Sequence, residues 1–198
     1  MTLPNLITIA RLLLVPLIVW LIVYGQAGFA FAVFVIAGVS DAIDGFLARQ
    51  FDLRSDLGTY LDPIADKTLL VSIYVTLAII GEIPVWLTIL IVSRDFLIVG
   101  AVVLSWMLGE PTAVRPLRVS KINTAAQITF AAVVLGDLAF SINLAAVRVV
   151  LVYAVAVLTV GSAALYLIDW VRHMGTGPAA TSSTLVSPKD RVKDQDAP

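Results

Sequence analysis

Apolar residues run almost unbroken along this chain, interrupted by short polar or turn-forming breaks at about residues 24–28, 50–60, 81–84, 108–118 and 137–143. The stretches between breaks are close to the ~20 residues that an α-helix needs to cross a bilayer. They predict six transmembrane helices over residues 6–23, 29–49, 61–80, 85–107, 119–136 and 145–170, the last long enough to tilt or to run on into the interface. The expected fold class is all-α, a polytopic integral membrane protein whose transmembrane domain spans residues 1–170. From residue 171 to 198 the sequence turns small, polar and mixed in charge, the composition of a disordered tail.

Composition removes the soluble alternative. Of 198 residues, 60% are hydrophobic and 14% charged, with a mean hydropathy of +0.98, against roughly 25% charged residues in ordinary soluble domains. There is too little polar material to cover a water-exposed globule. Arg11 interrupts the first apolar run and no small-residue cleavage pattern follows it, so this segment is expected to stay in the mature protein. Without cysteine, any metal must be held by oxygen or by the single His173, which has no partner pattern and receives no catalytic role.

The distribution of charge sets the expected orientation. With both termini on the cytoplasmic side, Arg49, Arg54, Arg115, Arg118, Lys121 and Arg172 fall at inside loops, whereas the outside breaks carry Glu82 and Asp137. The expected location is the cell inner (cytoplasmic) membrane. Arg148, near the outer end of the last helix, is the exception and is expected to snorkel to the headgroups. Asn5, after Pro4, is a candidate cap for the first helix, and Arg11 two turns on either snorkels inward or faces a polar cavity. Gly81-Glu82-Ile83-Pro84 reads as a tight external turn, and Trp20, Trp86, Trp106 and Trp170 read as interface anchors.

Four carboxylates break the apolar pattern where hydrocarbon tolerates them least. On a helix, Asp41 and Asp44 are three apart and share a face, with Gly45 and Ala48 beside them and Arg49 beyond. Asp62 and Asp66, four apart, do the same on the next helix, with Gly58 one turn before. Two carboxylates from each of two adjacent helices form an all-oxygen cage suited to hard ions such as Mg²⁺ or Mn²⁺. Without cations the four charges would repel one another. Glycine and alanine leave a groove for a bulky polyanion, and Arg49 offers a forked donor set matched to phosphoryl oxygens. Two divalent ions there would neutralise a diphosphate and assist its leaving oxygen, with Asp66 placed to take a proton from an acceptor hydroxyl.

Two other classes compete. Structural charges, paired with Arg49 and Lys67, leave unexplained why the four acids share matched faces with small residues interleaved. An ion channel or cation transporter would place its acids near mid-membrane, whereas Asp41 to Asp66 gather at one end of two helices joined by a short loop, and a non-enzymatic membrane scaffold would show no metal-dependent activity to lose on substituting them.

The run from Asp41 to Asp66 resembles the signature of the CDP-alcohol phosphotransferase family, D-x2-D-G-x2-A-R-x8-G-x3-D-x3-D, at Asp41, Asp44, Gly45, Ala48, Arg49, Gly58, Asp62 and Asp66. The resemblance implies transfer of a phosphoalcohol unit from a CDP-linked donor to a hydroxyl, with release of CMP. It also implies two divalent ions on Asp41, Asp44, Asp62 and Asp66, Asp66 as the base, and a CDP site lined by Gly45, Ala48, Arg49 and Gly58. Family members are commonly homodimers, so a homodimer is expected, and no nucleic-acid partner is. The opening Pro4 to Arg11 looks like that shared by phosphatidylglycerophosphate synthases and eukaryotic-type cardiolipin synthases. Ser93-Arg94-Asp95 and Ser120 to Gln127 look more like the cardiolipin branch. The implied donor is CDP-diacylglycerol, and the implied acceptor phosphatidylglycerol, with sn-glycerol 3-phosphate as the alternative. Arg94, Arg118 and Lys121 are the candidates for the acceptor phosphate. Internal pairing is the alternative for Arg94, and anchoring of the topology the alternative for Arg118 and Lys121. Lys67 is expected to point away from the acids, toward Asp95 or a lipid phosphate.

Overall fold

A computed structural model describes residues 3–50, 56–107 and 118–175, with side chains over 8–41, 43, 65–100 and 119–168. Within these residues the chain forms six helices and no strand: α1 (Leu3–Val23), α2 (Ala27–Gln50), α3 (Asp56–Ile79), α4 (Val85–Met107), α5 (Arg118–Phe140) and α6 (Ala145–Gly175). Val119–Phe140 and Ala145–Ile168 are long and apolar enough to cross a membrane, and Thr8–Val23 and Ala27–Asp41 are shorter apolar stretches.

Most helix boundaries that depart from the apolar spans extend them, while α4 matches its span and α3 ends one residue early. α1 begins at Leu3, so Asn5 lies inside the helix rather than capping it, and Pro4 occupies the first turn, where its missing N–H costs no helical bond. α3 begins at Asp56, α5 continues to Phe140 and α6 to Gly175. Helical hydrogen bonding persists into the polar flanks, where hydropathy has already fallen. The expected tail, past Gly175, lies outside the described residues.

Glycine stops two of the helices by the same device. Gly25 (φ 72°) and Gly81 (φ 83°) take the left-handed conformation that side chains with a Cβ resist. Gln26 N then bonds Leu21 O at 2.8 Å and Gly25 N bonds Ile22 O at 3.1 Å. Glu82 N to Leu77 O (2.9 Å) and Gly81 N to Ala78 O (3.1 Å) repeat the pattern, so the last carbonyls of α1 and α3 are satisfied before the chain reverses.

Polarity is arranged inside out. Ile18, Ile73, Leu77, Leu87, Phe130 and Val134 fill the centre, but Thr8, Arg11, Arg94, Asn123, Gln127 and Ser162 are buried with them. The outside is apolar: Leu13, Phe29, Ile79, Phe96, Val150 and Val157 are each 66% exposed or more. An exterior of this kind is matched to hydrocarbon rather than water. α1 packs chiefly on α3 and α2, α5 on α6 and α2, and α4 on α6. Tyr74 ties α3 to α5 by donating to Gln127 O at 2.9 Å while its ring tilts against Phe130.

Arg148 does not snorkel. Its Nη2 lies 2.8 Å from Glu82 Oε2 and also donates to Glu82 O, and its Nη1 lies 3.2 Å from Asp137 Oδ2. Asp137, in the last turn of α5, accepts Leu144 N at 2.9 Å through its other oxygen. One guanidinium thereby fastens the α3–α4 turn, the end of α5 and the start of α6. Arg148→Ala would leave two carboxylates facing one another across that junction. We expect it to cost about 1–3 kcal/mol, read as a lower melting temperature in detergent. Arg148→Lys should recover only part of the loss, because one ammonium cannot reproduce the fork.

Candidate functional site

Each of the two acid-bearing segments is helical. Asp41, Asp44, Gly45, Ala48 and Arg49 lie in the last turns of α2, and Gly58, Asp62 and Asp66 in the first turns of α3. The spacing therefore acts as helical spacing, which places Asp41 with Asp44 and Asp62 with Asp66 on common faces. The side chains of Asp44, Gly45, Ala48, Arg49, Gly58 and Asp62 fall outside those described.

The two acids that are described converge. Arg11, on α1, places its Nη2 2.7 Å from Asp41 Oδ1 and donates through Nη1 to Asp66 Oδ1. Carboxylates from α2 and α3 thus lie within reach of one cationic group, at the end of the bundle away from the short turns. Arg11 is 3% exposed, and the side chains of Asp41 and Asp66 are 45% and 43% exposed. The guanidinium lies on the core side, and the carboxylates open outward. Among the described residues no group of three or more acids or histidines is assembled to hold an ion. The described part of the donor set nevertheless fits a hard cation, being all oxygen and drawn together from two helices.

Sequence reasoning had not placed Arg11 in this site. It is the first Lys or Arg in the chain, and the next is Arg49. A lone cation deep in an apolar run is a signal that some acid must lie opposite it. Thr8, three residues earlier on the same face, is fully buried as well.

A second polar cluster lies between α4, α5 and α6. Arg94 is 3% exposed, with Nη1 2.7 Å from Asp95 Oδ1 and Nη2 donating to Ser120 Oγ (2.6 Å) and Ser162 Oγ (2.7 Å). The Tyr166 ring lies 5.9 Å away. Lys67 turns to Asp95, with Nζ 2.7 Å from Oδ2, and so links α3 to the same cluster. Two cations and one anion leave this cluster with one net positive charge. Below it, Asn123 accepts from Thr159 Oγ1 at 3.0 Å. Arg94 Nε, Asn123 Nδ2 and Gln127 Nε2 are buried without a hydrogen-bond partner. Lys121 is exposed on the first turn of α5, and the side chain of Arg118 lies outside those described.

Beside this cluster a cleft of about 930 Å³ runs between α4 and α6, walled by Phe96, Leu97, Val160, Ala163 and Leu167, with Ser93 and Tyr166 as its polar residues.

The sequence pattern that defines the CDP-alcohol phosphatidyltransferases matches residues 1–161. The chain belongs to the CDP-alcohol phosphatidyltransferase family. It is 37% identical to a cardiolipin synthase (CMP-forming) / mitochondrial hydrolase fusion protein of Schizosaccharomyces pombe, over 85% of this chain and 31% of that protein. It is 37% identical to the cardiolipin synthase (CMP-forming) of Homo sapiens, over 66% of this chain and 49% of that one. A probable phosphatidylglycerophosphate synthase of Mycobacterium tuberculosis is 37% identical over 47% of each chain. The chain thus spans between about a third and a half of the length of these relatives. The match covers both helices of the acidic motif, the Arg11 segment, and Arg94 with Lys67, Asp95 and Ser120, while Ser162 and Tyr166 lie just beyond it.

Proposed function

We propose that this chain is a phosphatidyltransferase that moves the phosphatidyl group of CDP-diacylglycerol to phosphatidylglycerol, giving cardiolipin and CMP. The observation that carries the reading is the convergence of Asp41 and Asp66 from adjacent helices, inside an eight-position motif, on one cationic group.

Asp41, Asp44, Asp62 and Asp66 would hold Mg²⁺ or Mn²⁺, two ions to a site. Those ions would supply charge neutralisation for the diphosphate and its departing oxygen. Gly45, Ala48 and Gly58 leave room for the CDP moiety to approach the helices, and Arg49 binds its phosphoryl oxygens by a fork. Asp66 takes the proton of the acceptor hydroxyl. The hydroxyl oxygen bonds to the phosphorus that bears the diacylglycerol, the pyrophosphate P–O bond breaks, and CMP leaves with its electron pair.

The choice of acceptor is supported by the Arg94 region. The apolar cleft beside it offers a course for acyl chains, which a lipid acceptor needs and a water-soluble one does not. Lys121 and Arg118, on the first turn of α5, complete the acceptor's phosphate site. The likeness to the cardiolipin synthases (CMP-forming) of Schizosaccharomyces pombe and Homo sapiens supports this choice.

The chain sits in the inner membrane with six spans, both termini and the active site facing the cytoplasm, and works as a homodimer. The turns that join α1 to α2, α3 to α4 and α5 to α6 carry Glu82, and Arg148 beside them is neutralised by Glu82 and Asp137. Arg148, the exception to the positive-inside pattern, thus serves as an internal clamp rather than a free loop charge.

A second reading keeps the donor and uses sn-glycerol 3-phosphate, favoured by the likeness to the probable phosphatidylglycerophosphate synthase. Purified protein given Mg²⁺ or Mn²⁺ and labelled CDP-diacylglycerol should release CMP with phosphatidylglycerol and form cardiolipin. Release with glycerol 3-phosphate alone would transfer the assignment to the second reading.

A further inference from the structure

Arg11 reaches the acidic site from α1, a helix that carries none of the eight motif positions. Its guanidinium touches one oxygen, Oδ1, of each carboxylate, and it is 3% exposed while they are nearly half exposed. Nε and Nη2 are buried without a hydrogen-bond partner, the Nη2 contact with Asp41 lying off the hydrogen-bond direction. A buried cation with unbonded donors is costly. A residue needed only to fill α1 would not bear that cost.

We propose that Arg11 is a positioning residue for the divalent-ion site, holding Asp41 and Asp66 at a fixed separation from the core side so that both open toward the ions. The inference rests on the metal reading given above. Two effects of the guanidinium oppose one another. As a positive charge it repels an incoming cation, but as a brace it prevents two like-charged side chains on different helices from turning apart. The brace dominates because the Arg11 guanidinium contacts both carboxylates at once, and ligand geometry of this kind is typically worth about 10–100-fold in metal affinity.

The test is Mn²⁺ binding to the purified full chain, followed by electron paramagnetic resonance, for wild type, Arg11→Lys and Arg11→Gln, with a melting curve for each. Lysine keeps the charge but offers one nitrogen in place of the two that face Asp41 and Asp66, so it cannot hold them at the same fixed separation and both variants should bind Mn²⁺ about 10-fold or more weakly. The melting temperature of each variant should also rise less than that of wild type when Mn²⁺ is added. Unchanged affinity in both, or tighter binding in Arg11→Gln, would overturn the proposal, the latter by showing the guanidinium to be a competitor. If wild type binds no Mn²⁺, the metal reading itself fails. Should neither variant fold, the wild-type chain answers directly. One arginine Nε–H resonance, slow to exchange, should shift when Mg²⁺ is added, and the absence of any such shift would equally overturn it.

Discussion

Asp44→Ala and Asp62→Ala should each lose CMP-forming activity by on the order of 10²–10³-fold or more while retaining their helicity. The two positions lie on different helices, α2 and α3, so the prediction is made twice on independent backbone. Removing a carboxylate from an apolar bundle relieves repulsion rather than creating a cavity, so the fold should survive and the melting temperature without metal should hold or rise. Stability and activity then move in opposite directions, which a merely structural charge cannot produce. A structural ion pair would lose stability on truncation and leave turnover intact in the folded fraction. The measurement is CMP release at saturating Mg²⁺ beside far-ultraviolet circular dichroism. Full activity in both variants would refute the metal assignment, and with it the phosphoryl-transfer reading of the motif.

How far the chain could be read in advance follows from what each signal depends on. All six helices were visible because the length of an apolar run between polar breaks is a local quantity that can be read directly from the sequence. α4 matches its expected span at both ends, but several other ends were missed, since the backbone of α3 is already helical at Asp56 and that of α6 still helical at Gly175, where the side chains are no longer apolar. Within the site, spacings of three and four were legible as shared faces. Partners were another matter. Arg11 finds Asp66 across 55 positions and Arg148 finds Glu82 across 66, and no periodicity encodes a match over that distance. The snorkelling expected of Arg148 failed for this reason: two acids that looked merely like outside-loop charges are the groups that hold it. Lys67 was easier, because one residue past Asp66 it must leave the acidic face, and Asp95 was a named partner.

Arg94→Ala is expected to destabilise the folded chain by about 3–5 kcal/mol, the largest stability effect of any single change considered. The guanidinium is 3% exposed and joins three helices: its own, through Asp95, then α5 through Ser120 and α6 through Ser162. Truncation leaves Asp95 with Lys67 alone and strips the half-buried Ser120 hydroxyl and the buried Ser162 hydroxyl of their donor. Arg94→Lys should fall between, since one ammonium can face Asp95 or the hydroxyls but not both. The same residue is a candidate for the acceptor phosphate, and the two roles separate by comparison with exposed Lys121. Lys121→Ala should leave the melting temperature unchanged and raise KM for the acceptor. Arg94→Ala should lower the melting temperature first, with kcat and KM both disturbed because the wall of the α4–α6 cleft moves with it. A variant that melts like wild type and alters only acceptor KM would show that Arg94 serves the substrate and that its contacts to Asp95, Ser120 and Ser162 are incidental to the fold. Its Nε is buried without a hydrogen-bond partner, so a phosphodiester oxygen reaching it would satisfy a donor that the contacts to Asp95, Ser120 and Ser162 leave unfilled.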